Sequence, residues 1–157
     1  MRSLLSLTEN QRTVLDLAGR GLSFADLARK LGVSKQHIQQ TFRVAESIVY
    51  RGLMDVAQAN QVEVRRVDSA KSILWGYQPW LGKDVIITFL PSRGVRVWYW
   101  TGQPEEVKDK ALLENATNYL LEEARRAGLS LSEEEKRRHP GKLAQTIFSR
   151  LIPEMST

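Results

Sequence analysis

Residues 24–43, FADLARKLGVSKQHIQQTFR, constrain the fold more than any other stretch, because they fit two short helices that cross at a tight turn. Leu27, Ala28 and Leu31 fall on one face at helical spacing, and Val33, Ile38, Phe42 and Ala45 supply the opposing face. Ala28 marks the closest approach, where a larger side chain would force the helices apart. Gly32 ends the first helix where a left-handed backbone is required, and Ser34 stands where a hydroxyl accepts from the free amides of the next helix. Ahead of this pair, Thr8 and Gln11 form a capping-box pattern, and Val14, Leu15, Leu17 and Ala18 make an apolar stripe. Gly21 then closes a helix over 9–20. The N-terminal third of the chain thus predicts a unit of three helices.

Ser34, Lys35, Gln36, Gln39, Gln40 and Arg43 face away from that core on the third helix. A solvated helix usually mixes Glu with Lys for pairs one turn apart, but no carboxylate occurs from Lys35 to Arg43. Amides and cations in this arrangement suit base edges and phosphates of the DNA major groove. The whole segment, LTENQRTVLDLAGRGLSFADLARKLGVSKQHIQQTFRVAE, resembles the tri-helical DNA-binding region of LuxR-type regulators and of the promoter-reading end of sigma factors. Within that group it is most similar to archaeal Tfx-type regulators, which are similarly short and carry a second domain after the helix-turn-helix. The resemblance covers residues 6 to about 50. It implies that Lys35, Gln36, Gln39, Gln40 and Arg43 lie in the major groove of double-stranded DNA, with Arg29 and Lys30 near phosphates. Thr41 departs from the pattern, since these regulators often carry a larger or more apolar residue there.

Charge agrees with this assignment. The net charge is +5, and residues 1–66 hold ten Lys or Arg against six Asp or Glu, whereas residues 67–157 hold 13 against 12. The basic excess travels with the three-helix unit, as expected where a polyanion is bound by counterion release. The chain contains no cysteine and only two histidines, His37 and His139, far apart in sequence. Disulfides are excluded, and neither a metal site nor a cofactor is expected. No signal peptide and no apolar run of membrane-spanning length is apparent, so a soluble, cytoplasmic protein with no membrane partner is expected.

Beyond Ala45, the residues Ile48, Val49, Leu53 and Val56 continue an apolar stripe to about Ala59. The third helix is therefore either very long or followed at once by another, with Gly52 as a plausible break. Tyr50 and Met54 add apolar surface that suits either a homodimer seam or packing on the chain's own second half. Pairing about a two-fold axis would multiply the few base pairs that one helix reads. Near residues 58–61 the pattern turns from helical to extended, which places a boundary between an N-terminal domain, 1–60, and a small α+β domain, 61–157.

In that second half Val62, Val64 and Val67 read as a short strand. Residues 84–90 and 95–100 are β-branched and aromatic runs joined by Pro91, Ser92, Arg93 and Gly94, a hairpin signature. Residues 105–127 read as a helix carrying Val107, Ala111, Leu112, Ala116, Tyr119 and Leu120 on one side and stopping at Gly128. Ser132 with Glu135 makes another capping box, Pro140 interrupts, and Leu143, Ala144, Ile147, Phe148 and Leu151 form a last amphipathic helix.

Seven of the twelve aromatic residues lie between Trp75 and Trp100. In the hairpin, Val95, Val97 and Tyr99 point to one face and Arg96, Trp98 and Trp100 to the other. Both faces are apolar, and such a sheet must be covered by helices of the same chain, by a second subunit or by a ligand. Trp75, Tyr77, Trp80, Trp98 and Trp100 are thus candidates to line a pocket for a small-molecule effector. No nucleophile with a base, no placed carboxylate pair and no phosphate cradle supports an enzyme. Gly82-Lys83-Asp84 lacks the spacing of a P-loop. The function expected is that of a sequence-specific, DNA-binding transcription regulator. The alternatives are a DNA-binding accessory protein of recombination or chromatin, and an RNA-binding module.

Overall fold

Each of the first three helices begins at a side-chain hydroxyl. In a computed structural model, which describes residues 6–100 and 110–156, these helices are α1 (Glu9–Gly19), α2 (Phe24–Leu31) and α3 (Lys35–Ala59). Thr8 Oγ1 accepts from the Gln11 amide at 3.1 Å while Gln11 Oε1 accepts from the Thr8 amide at 2.9 Å, which completes the expected capping box. Ser23 caps α2 through the Asp26 amide, and Ser34 caps α3 through the His37 amide, both at 3.1 Å. Gly32 closes α2 at φ +68, a left-handed conformation that a residue with a Cβ adopts only at a cost.

Val14, Leu27, Ala28 and Ile38 are buried together among the three helices, and Phe24 and Phe42 pack with ring centroids 5.3 Å apart. Val33, expected in this core, is 39% exposed instead. Its amide bonds to the Ala28 carbonyl as the chain wraps around Gly32, and the turn carries its side chain outward.

The third helix runs unbroken for 25 residues, and Gly52 lies buried inside it rather than interrupting it. The reason is tertiary. Ala45, Ile48, Val49, Leu53 and Ala57 share one core with Val62, Leu74, Val85, Ile87 and Phe89, so burial on both sides of Gly52 outweighs its roughly 1 kcal/mol of lost helix propensity.

The strands β1 (Glu63–Asp68), β2 (Ile73–Gln78), β3 (Lys83–Leu90) and β4 (Gly94–Tyr99) form an antiparallel meander in the order β1-β2-β3-β4. The expected hairpin is β3–β4, with Ile86 opposite Trp98 and Val85 opposite Tyr99. Strand β2 was not apparent from the sequence, and it turns the hairpin into a sheet. Leu74, Ile87 and Val97 stand in one row across that sheet, on the face that packs on α3. Ile73, Ile86 and Leu90 on the opposite face are buried too. Gly76 sits opposite Val64, and a Cβ there would come within 2.5 Å of the Glu63 carbonyl oxygen and of Val62 Cγ1. Only glycine lets β1 approach so closely.

Two compact units result, Met1–Tyr99 and Trp100–Thr157. The change of pattern near Gln61, where the sequence places a domain boundary, falls inside the first of them, because α3 and the sheet share a core. The second unit contains α4 (Lys110–Arg126), α5 (Glu133–Lys136), α6 (Pro140–Leu151) and a 3-10 turn (Pro153–Ser156). The beginning of the helix expected over 105–127, with Val107, lies outside the described residues. Pro140 opens α6 after the short, capped α5. Tyr119, Leu120 and Ala124 of α4 and Leu143, Ile147 and Phe148 of α6 are buried where the two helices pack. Leu112, placed by spacing on the buried side, is 55% exposed. Glu123 and Arg126 are buried instead, and burial pushes the Glu123 carboxyl up to about 8 although the Arg126 charge pulls it down. No helix among the described residues is long and apolar enough to cross a membrane.

Candidate nucleic-acid interface

The first turns of α3 are held from behind and open in front. Ile38 and Ala45 are fully buried and Phe42 packs on Phe24, so the roll of the helix is set by its own apolar side. Ser34, Lys35, Gln36, Gln40 and Arg43 are exposed, while Gln39 and Thr41 are half-buried. Gln36, Gln40 and Arg43, spaced by four and three residues, form a single stripe on the solvent side. From Lys35 to Arg43 the helix rises about 12 Å, close to the width of a DNA major groove.

Charge on this surface is uncompensated. Among the described residues Lys30, Lys35 and Arg43 form no ion pair. Arg29 differs, since it pairs with Asp26 one turn earlier on α2. The Ser23 side chain first, and Arg29 second, hold the Asp26 carboxyl below the usual range, so that pair is ionised. A phosphate contact by Arg29 would compete with Asp26, and one by Lys30 would not.

The stripe does not stop at Arg43. Because α3 is continuous, Ser47 and Arg51 follow on the same side, four and eight residues further, and both are exposed. A groove of about 380 Å³ lies there, lined by Arg43, Val44, Ser47, Ile48 and Arg51. Sequence reasoning passed over Ser47 and Arg51, although their spacing of four and eight residues from Arg43 on one helix is a signal that could have found them. Glu46, the nearest acid on this helix, accepts from Ser69 Oγ at 2.8 Å. Tyr50 is 48% exposed, whereas Met54 is half-buried against the core shared with the sheet.

The five aromatic residues considered for an effector site are only partly brought together. Trp75 lies opposite Ile86, and Ile86 opposite Trp98, so these rings and Tyr77 share the sheet face turned away from α3. A β-bulge between Val64 and Arg66 aims Arg65 at the same face. Its guanidinium stands 5.5 Å from the Trp75 ring and 5.0 Å from the Tyr77 ring, and donates to Asp84 Oδ1 at 3.1 Å. Arg96 stacks similarly over Trp98, whose Nε1 donates to Thr88 Oγ1 at 3.0 Å. Trp80 stands apart, 82% exposed on the β2–β3 turn. Trp100 follows β4 and opens the second unit.

Comparison of the chain with protein-family models, curated proteins and solved structures finds no match. Its functional reading therefore rests on its own residues. Among the described residues, no group of three or more His, Asp or Glu side chains is placed to hold a metal ion.

Proposed function

We propose that this protein is a sequence-specific transcription regulator that binds double-stranded DNA by laying the N-terminal half of α3 in the major groove. One observation carries the reading: Lys35, Gln36, Gln40 and Arg43 form an exposed, acid-free surface on a helix whose roll is fixed by Ile38, Phe42 and Ala45. Gln offers adenine a paired donor and acceptor, Arg offers guanine two parallel donors, and Lys30 and Lys35 supply charge for phosphate. The amide end of α3, where Ser34 accepts from the His37 amide, favours a phosphate near Ser34. The resemblance to LuxR-type and Tfx-type regulators read from the sequence pattern of residues 6 to about 50 implies the same docking. A homodimer is part of the proposal, since a single helix reads too few base pairs to select a site. Tyr50 offers exposed aromatic surface on α3 for that contact.

Selection of bound sequences from a random duplex pool tests this directly. A shared motif, palindromic if the protein pairs about a two-fold axis, is the expected result. Equal affinity for duplex DNA, single strands and structured RNA at one salt concentration would refute it. Site-specific binding that survives joint replacement of Gln36, Gln39, Gln40 and Arg43 would refute the assignment of the reading helix.

A further inference from the structure

We propose that the groove between Arg43 and Arg51 binds a small organic anion, with an apolar body and a phosphate or carboxylate group, and that its occupant competes with DNA for Arg43. The binding site stands on its own, while the competition rests on the reading of α3 given above.

Arg43 and Arg51 lie eight residues apart on one side of α3, about 12 Å along the helix. Both are exposed, and neither forms an ion pair among the described residues. Asp55, one turn beyond Arg51, is not paired with it, and Glu46 is engaged by Ser69. Unpaired arginines are common on surfaces, but these two line one concavity together with Ser47, the half-buried Val44 and the edge of the buried Ile48. A planar guanidinium donates two parallel hydrogen bonds to a carboxylate or phosphate, and the half-buried Val44 offers apolar surface that an apolar group gains by covering.

Size decides between two sources of such an anion. A volume of about 380 Å³ falls in the range of small-molecule sites. The DNA backbone is convex and hydrophilic; it would touch either arginine and leave the apolar surface of Val44 uncovered. A small anion with an apolar body matches both together. Because Arg43 also belongs to the surface proposed to read DNA, the two ligands must weaken each other's binding by the same factor.

Phenyl phosphate is a suitable probe, with inorganic phosphate and benzyl alcohol as its anionic and apolar halves, followed by ligand-observed saturation-transfer NMR on the full chain. Saturable binding of phenyl phosphate is expected, with each half roughly tenfold weaker or more. Arg51→Gln should weaken phenyl phosphate by about tenfold or more, and Ser47→Trp should fill the groove and abolish binding. Both positions are exposed, so far-UV circular dichroism should be unchanged. Phenyl phosphate should also raise the apparent Kd for the selected duplex in the parent chain and not in Arg51→Gln. Binding that is non-saturable, or indifferent to Arg51→Gln, overturns the site. If Arg51→Gln weakens duplex binding and flattens its salt dependence while phenyl phosphate is unaffected, the groove is a backbone contact and the proposal fails. Phenyl phosphate binding without any duplex binding would instead uphold the groove and refute the DNA reading.

Discussion

Helices α3 and α4 are both amphipathic, yet they place their charges oppositely. On α3 the buried side is wholly apolar, and the charged groups Lys35, Arg43 and Arg51 are exposed and unpaired among the described residues. On α4 the buried side holds Glu123 and Arg126 beside Tyr119, Leu120 and Ala124, while Leu112 faces water. An apolar seat holds a helix in place and leaves its polar side free for other molecules. A seat containing a carboxylate makes the helix sensitive to pH, because one form of the buried group is strongly disfavoured. The first arrangement suits a surface that must present fixed groups to a ligand, and the second does not.

Several experiments would break or sharpen this contrast. The largest effect is expected from Leu53→Ala, which removes a fully buried side chain from the core that α3 shares with the sheet. A loss of about 2 to 5 kcal/mol is expected in urea unfolding. Helix circular dichroism and tryptophan fluorescence from β2 and β4 should shift together. Separate transitions would show that α3 does not depend on the sheet for its seat.

Glu123→Gln should act in the opposite sense. The folded pKa of Glu123 lies near 8, above its ordinary 4.5, so the folded state keeps a proton that the unfolded chain releases. The stability of the parent chain therefore falls as pH rises from about 4.5 to about 8 and the penalty is complete above that. The variant lacks this penalty. Thermal melts at pH 4 should barely differ, and at pH 9 the variant should be more stable by on the order of a few kcal/mol. A variant no more stable at pH 9 than its parent would show that Arg126 neutralises Glu123 and that the two helices are less different than their burial implies.

Smaller effects are expected in binding. Gln40→Ala should cost about 1 to 3 kcal/mol on a selected duplex and relax base preference, measured by fluorescence anisotropy. Lys30→Gln should weaken all duplexes alike and lower the salt slope by about one. Identical behaviour of the two variants would mean that the acid-free surface contributes charge and no selection. The smallest effect is expected from Ser34→Ala, which removes the cap at the His37 amide and should cost about 1 kcal/mol of stability by thermal unfolding. No loss there would show that tertiary contacts alone hold the first turn of α3.

Much of the N-terminal unit was legible because its signals are local. A capping box needs residues three apart, a left-handed cap needs glycine at one position, and a crossing needs one small side chain, so Thr8, Gln11, Ala28, Gly32 and Ser34 could be assigned by spacing. Strand β2 was less legible. Gly76 interrupts its apolar pattern, and that glycine makes sense only once β1 is seen to lie against it. Leu112 and Glu123 show the limit of helical spacing, which says which residues share a side but not which side a neighbouring element covers.

By itself, then, the sequence determined the three-helix unit, its caps, the mixed α+β character of the chain and the acid-free polar run from Lys35 to Arg43, all consequences of backbone preference and spacing within a few turns. Only the tertiary structure decided that α3 continues through Gly52, that the sheet joins the core of the helices, and that Arg65 stacks over Trp75 and Tyr77. The physical reason is common to all three: each depends on burial or contact between residues distant along the chain, and local preference cannot specify what lies across a packed interface.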